Sequence, residues 1–164
     1  MTLALTALLT GLMLISPVSA TFAQQVVFLV RHADRQDSSP DSPLSKAGKA
    51  RAEHLALLLQ HSGIAAIYTS EWQRTIMTAG PLAATLKIKP VSLPKTNVEM
   101  LFNRIRGKHS EDVVLIVGHQ KTIPLLLKLF GHQWDFLMER HEYDNLFVLI
   151  PSRDQEPTLL RLHY

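Results

Sequence analysis

Two uninterrupted apolar runs constrain the fold of this chain more than any other feature. Val26–Val30 and Val113–Val117 each contain only apolar residues. A strand with one face in water alternates polar and apolar residues, whereas a continuously apolar strand is covered on both faces. Strands of that kind lie at the centre of a parallel sheet with helices on either side. The two runs therefore predict an α/β domain that has these strands at its centre.

The remaining sequence alternates helix and strand signals. Ser45–His61 has apolar residues at helical spacing and is followed by Gly63, a typical helix stop, and Ile64–Thr69 is typical of a strand. We therefore expect an α/β, three-layer sandwich with a mostly parallel central sheet flanked by helices. Two further helices are predicted to start at capping boxes, one from Ser70 and Gln73 to about Leu86 and one from Thr96 and Glu99 through Arg106. The other predicted elements are a helix from near Pro124 to Gly131 and strands at Leu146–Ile150 and Thr158–His163.

Composition excludes several classes of protein. The 164 residues include no cysteine, which excludes disulfide scaffolds, thiol nucleophiles and iron–sulfur sites. The formal net charge is only +3 and there is no long basic run, so charge does not indicate nucleic-acid binding. Eight histidines are present, but none form the His-x-x-x-His or His-Glu-x-x-His spacing of a zinc site. We expect no metal and no other cofactor.

The amino terminus has the character of an export signal. No ionisable side chain precedes Arg31, and Leu3–Val18 is almost wholly apolar. Small residues follow Pro17, as they do at a signal-peptide cleavage site, and they predict cleavage after Ala20 or, alternatively, after Ala23. An uncleaved membrane anchor is the competing interpretation. Either way, residues 24–164 are predicted to form a single domain that is secreted or periplasmic, with membrane contact only if the leader is retained.

Basic side chains and histidines follow the predicted strands directly. The first run leads into Arg31 and His32, and the second leads into Gly118 and His119. Arg74 lies near the start of the helix that follows the strand ending at Thr69. Because the carboxyl ends of parallel strands meet at one edge of the sheet, these groups should lie close together. With helix amino termini added, this edge is a predicted anion site.

These residues resemble the histidine phosphatase superfamily, which has the phosphoglycerate mutase-like fold. The resemblance spans the chain after the leader and is closest to small bacterial members, including phosphohistidine phosphatases. It implies that His32 is the nucleophile and that Arg31, Arg74 and His119 bind phosphate. The residues that carry it are Arg31, His32 and Ala33; Tyr68, Thr69 and Ser70; Arg74, Thr75, Thr78 and Ala79; and Gly118 and His119.

The resemblance implies a metal-independent hydrolysis of phosphomonoesters or related phosphoryl compounds through a phosphohistidine on His32. The substrate would be a phosphorylated small molecule or a phosphoprotein, and the oligomeric state is left open. The identity of the general acid is also open. Asp34 is nearest to His32 in sequence, and Glu99 and Asp144 are the other two candidates. Two other functions remain as alternatives, namely a module that binds a phosphorylated ligand without turnover and a phosphomutase.

Overall fold

A computed structural model describes residues 25–133, 138–152 and 154–164. The predicted leader and both of its cleavage points lie outside these residues, so export stays a prediction. Within the described ranges, no helix is both long enough and apolar enough to cross a membrane. The strands are β1 (Val26–Arg31), β2 (Ile64–Ser70), β3 (Val91–Leu93), β4 (Val113–Gly118), β5 (Asn145–Ile150) and β6 (Thr158–His163), and the helices are α1 (Lys46–Leu59), α2 (Gln73–Leu86), α3 (Val98–Lys108) and α4 (Thr122–Leu129).

The strands form one six-stranded sheet in the order β3-β2-β4-β1-β5-β6. The first four of these strands are parallel to one another, whereas β5 is antiparallel to β1 and β6 is antiparallel to β5. The two apolar runs pair directly, with Val26 opposite Val113 and Arg31 opposite Gly118. The predicted α/β sandwich with a mostly parallel sheet is therefore confirmed.

Each face of the sheet buries its own apolar cluster. Val27 and Leu29 of β1 pack with residues of α3 and α4, whereas Val30 packs on the opposite face with residues of α1 and α2. This alternation follows from the pleat, which sends successive side chains to opposite faces. Because both faces are covered, β1 and β4 have to be apolar throughout, and the functional side chains are left to the ends of the strands.

The two capping boxes predicted from the sequence are wrong. Helix α2 begins at Gln73 rather than Ser70. The backbone amide of Gln73 donates to Oδ1 of Asp41, in a distant loop, at 2.8 Å. Helix α3 is capped by Asn97 rather than Thr96, because the Asn97 side chain accepts a hydrogen bond from the amide of Met100. Strand β3 was also missed, since three residues are too few to show a period.

Candidate active site

The carboxyl ends of β1, β4 and β2 bring the predicted residues together. Arg31 is the last residue of β1, and His32 follows it, with its amide donating to the carbonyl oxygen of Gly118 at 2.9 Å. The imidazole rings of His32 and His119 then lie 5.3 Å apart in an edge-on arrangement. Arg74 reaches the same edge from the first turn of α2. The sequence prediction that these strand ends meet is confirmed.

His32 is held as a neutral imidazole with one defined tautomer. Its Nδ1 lies 2.9 Å from the carbonyl oxygen of Ala33, and because a carbonyl only accepts, Nδ1 carries the proton. Burial, with smaller contributions from the charges of His119, Arg31 and Arg74, lowers the pKa of His32 to about 3. The ring is therefore neutral at ordinary pH, and Nε2 has a free lone pair. A neutral imidazole of this kind is a nucleophile.

His119 is also neutral, and its ring is oriented by a hydroxyl group. Nε2 of His119 lies 2.9 Å from Oγ of Ser70, which is itself 2.9 Å from Oγ1 of Thr75. Burial, followed by the charges of Arg74 and Lys95, lowers the pKa of His119 to about 4. The Ser70 hydroxyl that sequence reasoning assigned to a helix cap therefore orients a site histidine instead.

The two arginines are buried and only partly satisfied. Nη1 of Arg31 donates to the carbonyl oxygens of Glu139, Arg140 and Glu142, each at 3.0 Å, and Nη1 of Arg74 donates to that of Pro40 at 2.9 Å. Nε of each arginine is buried and has no hydrogen-bond partner among the described residues. Leaving a buried donor unpaired costs about 1–3 kcal/mol, so both groups favour an anion that would accept from them.

Two hydroxyl contacts set the position of the loop that carries the nucleophile. The amide of Ala33 donates to Oγ1 of Thr78 at 2.9 Å, and that hydroxyl donates to the carbonyl oxygen of Arg74 at 2.7 Å. Ala33 is fully buried and has no positive φ angle, so the residue after the nucleophile does not need to be glycine. Thr78 therefore ties His32 and Arg74 into one unit.

The candidate acids predicted from the sequence have other partners. Oδ2 of Asp34 accepts a hydrogen bond from Nε of Arg51 at 2.8 Å. Oδ2 of Asp144 lies 3.2 Å from Nδ1 of His163. Glu99 is exposed in the first turn of α3, outside the group of residues around His32. None of the three carboxylates contacts a site histidine in the structure, so an acid role for any of them stays a prediction.

Sequence reasoning missed one residue that lines this site. The ring of Tyr143 lies 5.8 Å from the ring of His32, and the guanidinium carbon of Arg31 lies 4.1 Å from the centre of the Tyr143 ring. Tyr143 comes just before β5, which runs antiparallel to β1. The start of an antiparallel strand lies at the same edge as the end of its neighbour, so the direction of β5 brings Tyr143 to this edge.

Part of this site lies in a segment that is similar to a known protein family. A sequence profile described as the histidine phosphatase superfamily (branch 1) matches residues 27–97, which include His32 and Arg74. This segment of the chain is therefore similar to the histidine phosphatase superfamily. No curated protein matches it in sequence. The matched segment ends before β4, so the place of His119 in the site comes from the structure.

Several solved structures of phosphatases share the fold of this chain. The SixA protein of Agrobacterium tumefaciens, provisionally described as a phosphohistidine phosphatase, is 23% identical, with a TM-score of 0.68 over 87% of this chain and 99% of that one. The protein histidine phosphatase SixA in complex with tungstate is 16% identical, with a TM-score of 0.67 over 84% and 96%. A mycobacterial glucosyl-3-phosphoglycerate phosphatase in complex with VO3 is 12% identical, with a TM-score of 0.67 over 85% and 98%.

Proposed function

We propose that this chain is a metal-independent phosphatase that moves a phosphoryl group from a phosphomonoester, or a related phosphoryl compound, to His32 and then to water. The observation that carries the proposal is the pair of buried, unpartnered Nε–H groups of Arg31 and Arg74 beside the free lone pair of His32 Nε2. Two guanidinium groups that keep their charge suit a phosphate with nearly two negative charges.

The proposed reaction uses the arginines for binding and His32 for chemistry. Phosphate oxygens accept from the Nε–H groups of Arg31 and Arg74, which places phosphorus in front of His32 Nε2. Attack forms the N–P bond and breaks the bond to the leaving oxygen, and water then attacks phosphorus and releases His32. In both steps the proton stays on Nδ1 and is donated to the Ala33 carbonyl oxygen, so the ring does not have to change its tautomer.

His119 has a role that depends on the bound phosphate. Its low pKa follows mainly from burial and from the nearby cations. The negative charge of a bound dianion offsets these contributions and favours the protonated ring, which then donates to a phosphate oxygen. His119 would therefore be neutral before binding and a hydrogen-bond donor to the transferring group afterwards.

The proposal for the substrate rests on the similar structures and on the loops around the site. The similar structures are named as a phosphohistidine phosphatase, a protein histidine phosphatase and a glucosyl-3-phosphoglycerate phosphatase. We propose that a phosphoprotein or a phosphorylated small molecule can serve as substrate, because two loops border the site and contact its arginines. The carbonyl of Pro40 binds Arg74, and the carbonyls of Glu139, Arg140 and Glu142 bind Arg31.

Hydrolysis of para-nitrophenyl phosphate in the presence of a chelator tests the function. We expect the full chain to turn over, His32→Ala to lose all measurable activity, and His54→Ala, on the exposed side of α1, to keep it. The phosphoryl group should be trapped on the protein as an acid-labile adduct in the unsubstituted chain only. Activity that survives in His32→Ala contradicts the proposal. Thermal protection by phosphate without any turnover would favour the binding module.

A further inference from the structure

The proposed reaction lacks an evident acid for the leaving group. The carboxylate nearest to His32 in sequence, Asp34, is paired with Arg51 at 2.8 Å. Glu71 follows the site residue Ser70, but it is exposed, and its Oε2 accepts from the amide of Lys95 at 2.8 Å. An alkoxide is a poor leaving group, and protonating it in the transition state is worth about 10²–10⁴-fold in rate. Neither carboxylate contacts His32, so a group beside His32 is a stronger candidate for the acid.

Tyr143 is placed at the nucleophile by the segment that wraps around Arg31. Nη1 of Arg31 binds three carbonyl oxygens of residues 139–142, immediately before Tyr143, and the guanidinium lies over the Tyr143 ring at 4.1 Å. The same ring lies 5.8 Å from that of His32, tilted by 49°. On the far side, the amide of Tyr164 donates to the carbonyl oxygen of Asp144 at 3.0 Å. The backbone is therefore held on both sides of Tyr143, and the ring packs against Arg31.

The hydroxyl of Tyr143 is available and lies within the field of both arginines. It makes no hydrogen bond within the described part of the chain, and the side chain is half-buried. Burial lowers the pKa of Arg31 and of Arg74, and the Tyr143 hydroxyl opposes that shift at both. The ring that carries this hydroxyl lies against Arg31 and near His32, so the phenol borders the site where the arginines would hold a phosphate. The positive charges of the two arginines would also stabilise the negative charge that remains on the phenolic oxygen after it donates its proton.

We propose that Tyr143 is a catalytic residue that protonates the leaving oxygen, an inference that rests on the phosphatase function proposed above. As Nε2 of His32 forms its bond to phosphorus, the bond from phosphorus to the leaving oxygen breaks. The phenolic proton of Tyr143 passes to that oxygen. The products of this step are the alcohol, phosphohistidine and a tyrosinate whose charge is stabilised by Arg31 and Arg74.

The second step restores every group. Water attacks phosphorus, the bond from phosphorus to His32 Nε2 breaks, and one proton of the water passes to the tyrosinate oxygen. Monohydrogen phosphate leaves, and both Tyr143 and the neutral imidazole of His32 are regenerated. A dianionic monoester and water therefore give an alcohol and a dianionic phosphate, with no co-reactant.

Dependence of the rate on the leaving group tests this role separately from the phosphatase function. Turnover of para-nitrophenyl phosphate that requires His32 establishes the function, and nitrophenolate leaves without needing a proton. Tyr143→Phe keeps the ring over Arg31 and removes only the hydroxyl. We expect this variant to lose about 10²-fold or more of kcat on an alkyl phosphate such as glycerol phosphate, and less than about 5-fold on the nitrophenyl ester.

Two variants serve as controls. Tyr164→Phe removes another phenol whose oxygen is buried without a partner among the described residues, and it should leave both rates unchanged. Glu71→Gln removes the competing acid and should affect both esters alike.

Three results would overturn the proposal. Equal losses on the two esters in Tyr143→Phe would make the phenol a phosphate ligand only. A selective loss of alkyl phosphate turnover in Glu71→Gln would give the acid role to that carboxylate. An unsubstituted chain that hydrolyses the nitrophenyl ester and no alkyl phosphate would show that the site does not protonate its leaving group.

Discussion

The active site has two halves that are built in different ways. The strand half consists of Arg31, His32, Arg74 and His119, which follow the carboxyl ends of β1, β2 and β4 directly or in the next turn. The loop half consists of residues 138–144, which reach the site before β5 begins. Backbone hydrogen bonds of the sheet fix the first half, whereas the second is held by Arg31, by the Glu142 carboxylate and by the residues of β6.

The two halves suit different tasks. The strand half positions the phosphate, and the loop half selects the leaving group. A site that must place donors around phosphorus benefits from the rigidity of strand ends, since catalysis of phosphoryl transfer is mostly positioning and electrostatic stabilisation. The leaving group varies among substrates, and loops tolerate variation better than a buried sheet does. We therefore expect substitutions in the strand half to affect all substrates, and substitutions in the loop half to affect some more than others.

Apart from loss of the nucleophile itself, the largest effect expected in the strand half comes from Arg74. Arg74→Ala removes a buried guanidinium from the phosphate site and should lower kcat/KM by about 10²–10³-fold for aryl and alkyl esters alike. Arg74→Lys should restore only a small part, because an ammonium group lacks the planar fork of donors. Arg106→Ala, on exposed α3 surface, is the matched control. A loss confined to one class of ester would remove the proposed distinction between the halves.

The strand half could be predicted from the sequence because its residues are adjacent to buried strands. Once Val26–Val30 and Val113–Val117 are assigned to neighbouring parallel strands, His32 and His119 must meet at one edge. The rest depends on contacts between residues far apart in the chain. The amide of Gln73 is capped by Asp41, 32 residues away, which no local pattern could show. That distant cap leaves the Ser70 hydroxyl available to His119.

Tyr143 could not be predicted because its position depends on the direction of β5. The sequence identified Leu146–Ile150 as a strand but gave no direction for it. A parallel strand would have placed Tyr143 at the opposite edge of the sheet. The pairing of Val30 with Leu146 in antiparallel register puts the residues before β5 beside those after β1. Sequence reasoning finds groups at the ends of parallel strands more readily than groups at the starts of antiparallel ones.

A second effect in the strand half concerns stability against pH. Burial, above all, lowers the pKa of folded His32 to about 3 and that of His119 to about 4, whereas an unfolded histidine titrates near 6.5. Between these values the unfolded chain binds more protons than the folded one, so stability falls as pH falls below about 6.5. Each histidine should cost up to about 2 kcal/mol between pH 7 and pH 5.

Urea unfolding at the two pH values measures this cost. His32→Gln should lose less stability on acidification than the unsubstituted chain does, by up to about 2 kcal/mol. His54→Gln removes an exposed histidine from α1 and should keep the original slope. Saturating phosphate should reduce the slope of the unsubstituted chain, because the bound anion favours protonation of His119. Equal slopes for His32→Gln and the unsubstituted chain would contradict a buried neutral His32.

The smallest effect expected is in the loop half, at Glu142. Its Oε2 accepts from the amide of Glu139 at 2.8 Å, and its Oε1 lies 3.1 Å from Nη2 of Arg161, so the carboxylate closes the turn before Tyr143. Glu142→Ala removes both contacts while leaving the carbonyl that binds Arg31. Hydrogen bonds of this kind contribute about 0.5–1.5 kcal/mol each, so we expect about 3–10-fold lower kcat on an alkyl phosphate.

The ratio of the two ester rates distinguishes positioning of Tyr143 from a general loss of structure. If the turn orients the phenol, Glu142→Ala lowers alkyl phosphate turnover more than nitrophenyl phosphate turnover, and adding the substitution to Tyr143→Phe has no further selective effect. Glu142→Gln keeps one acceptor oxygen and should recover part of the loss, whereas Glu53→Ala on exposed α1 should change neither rate. Equal losses on both esters would mean that the turn supports Arg31 alone, and the loop half would then bind phosphate just as the strand half does.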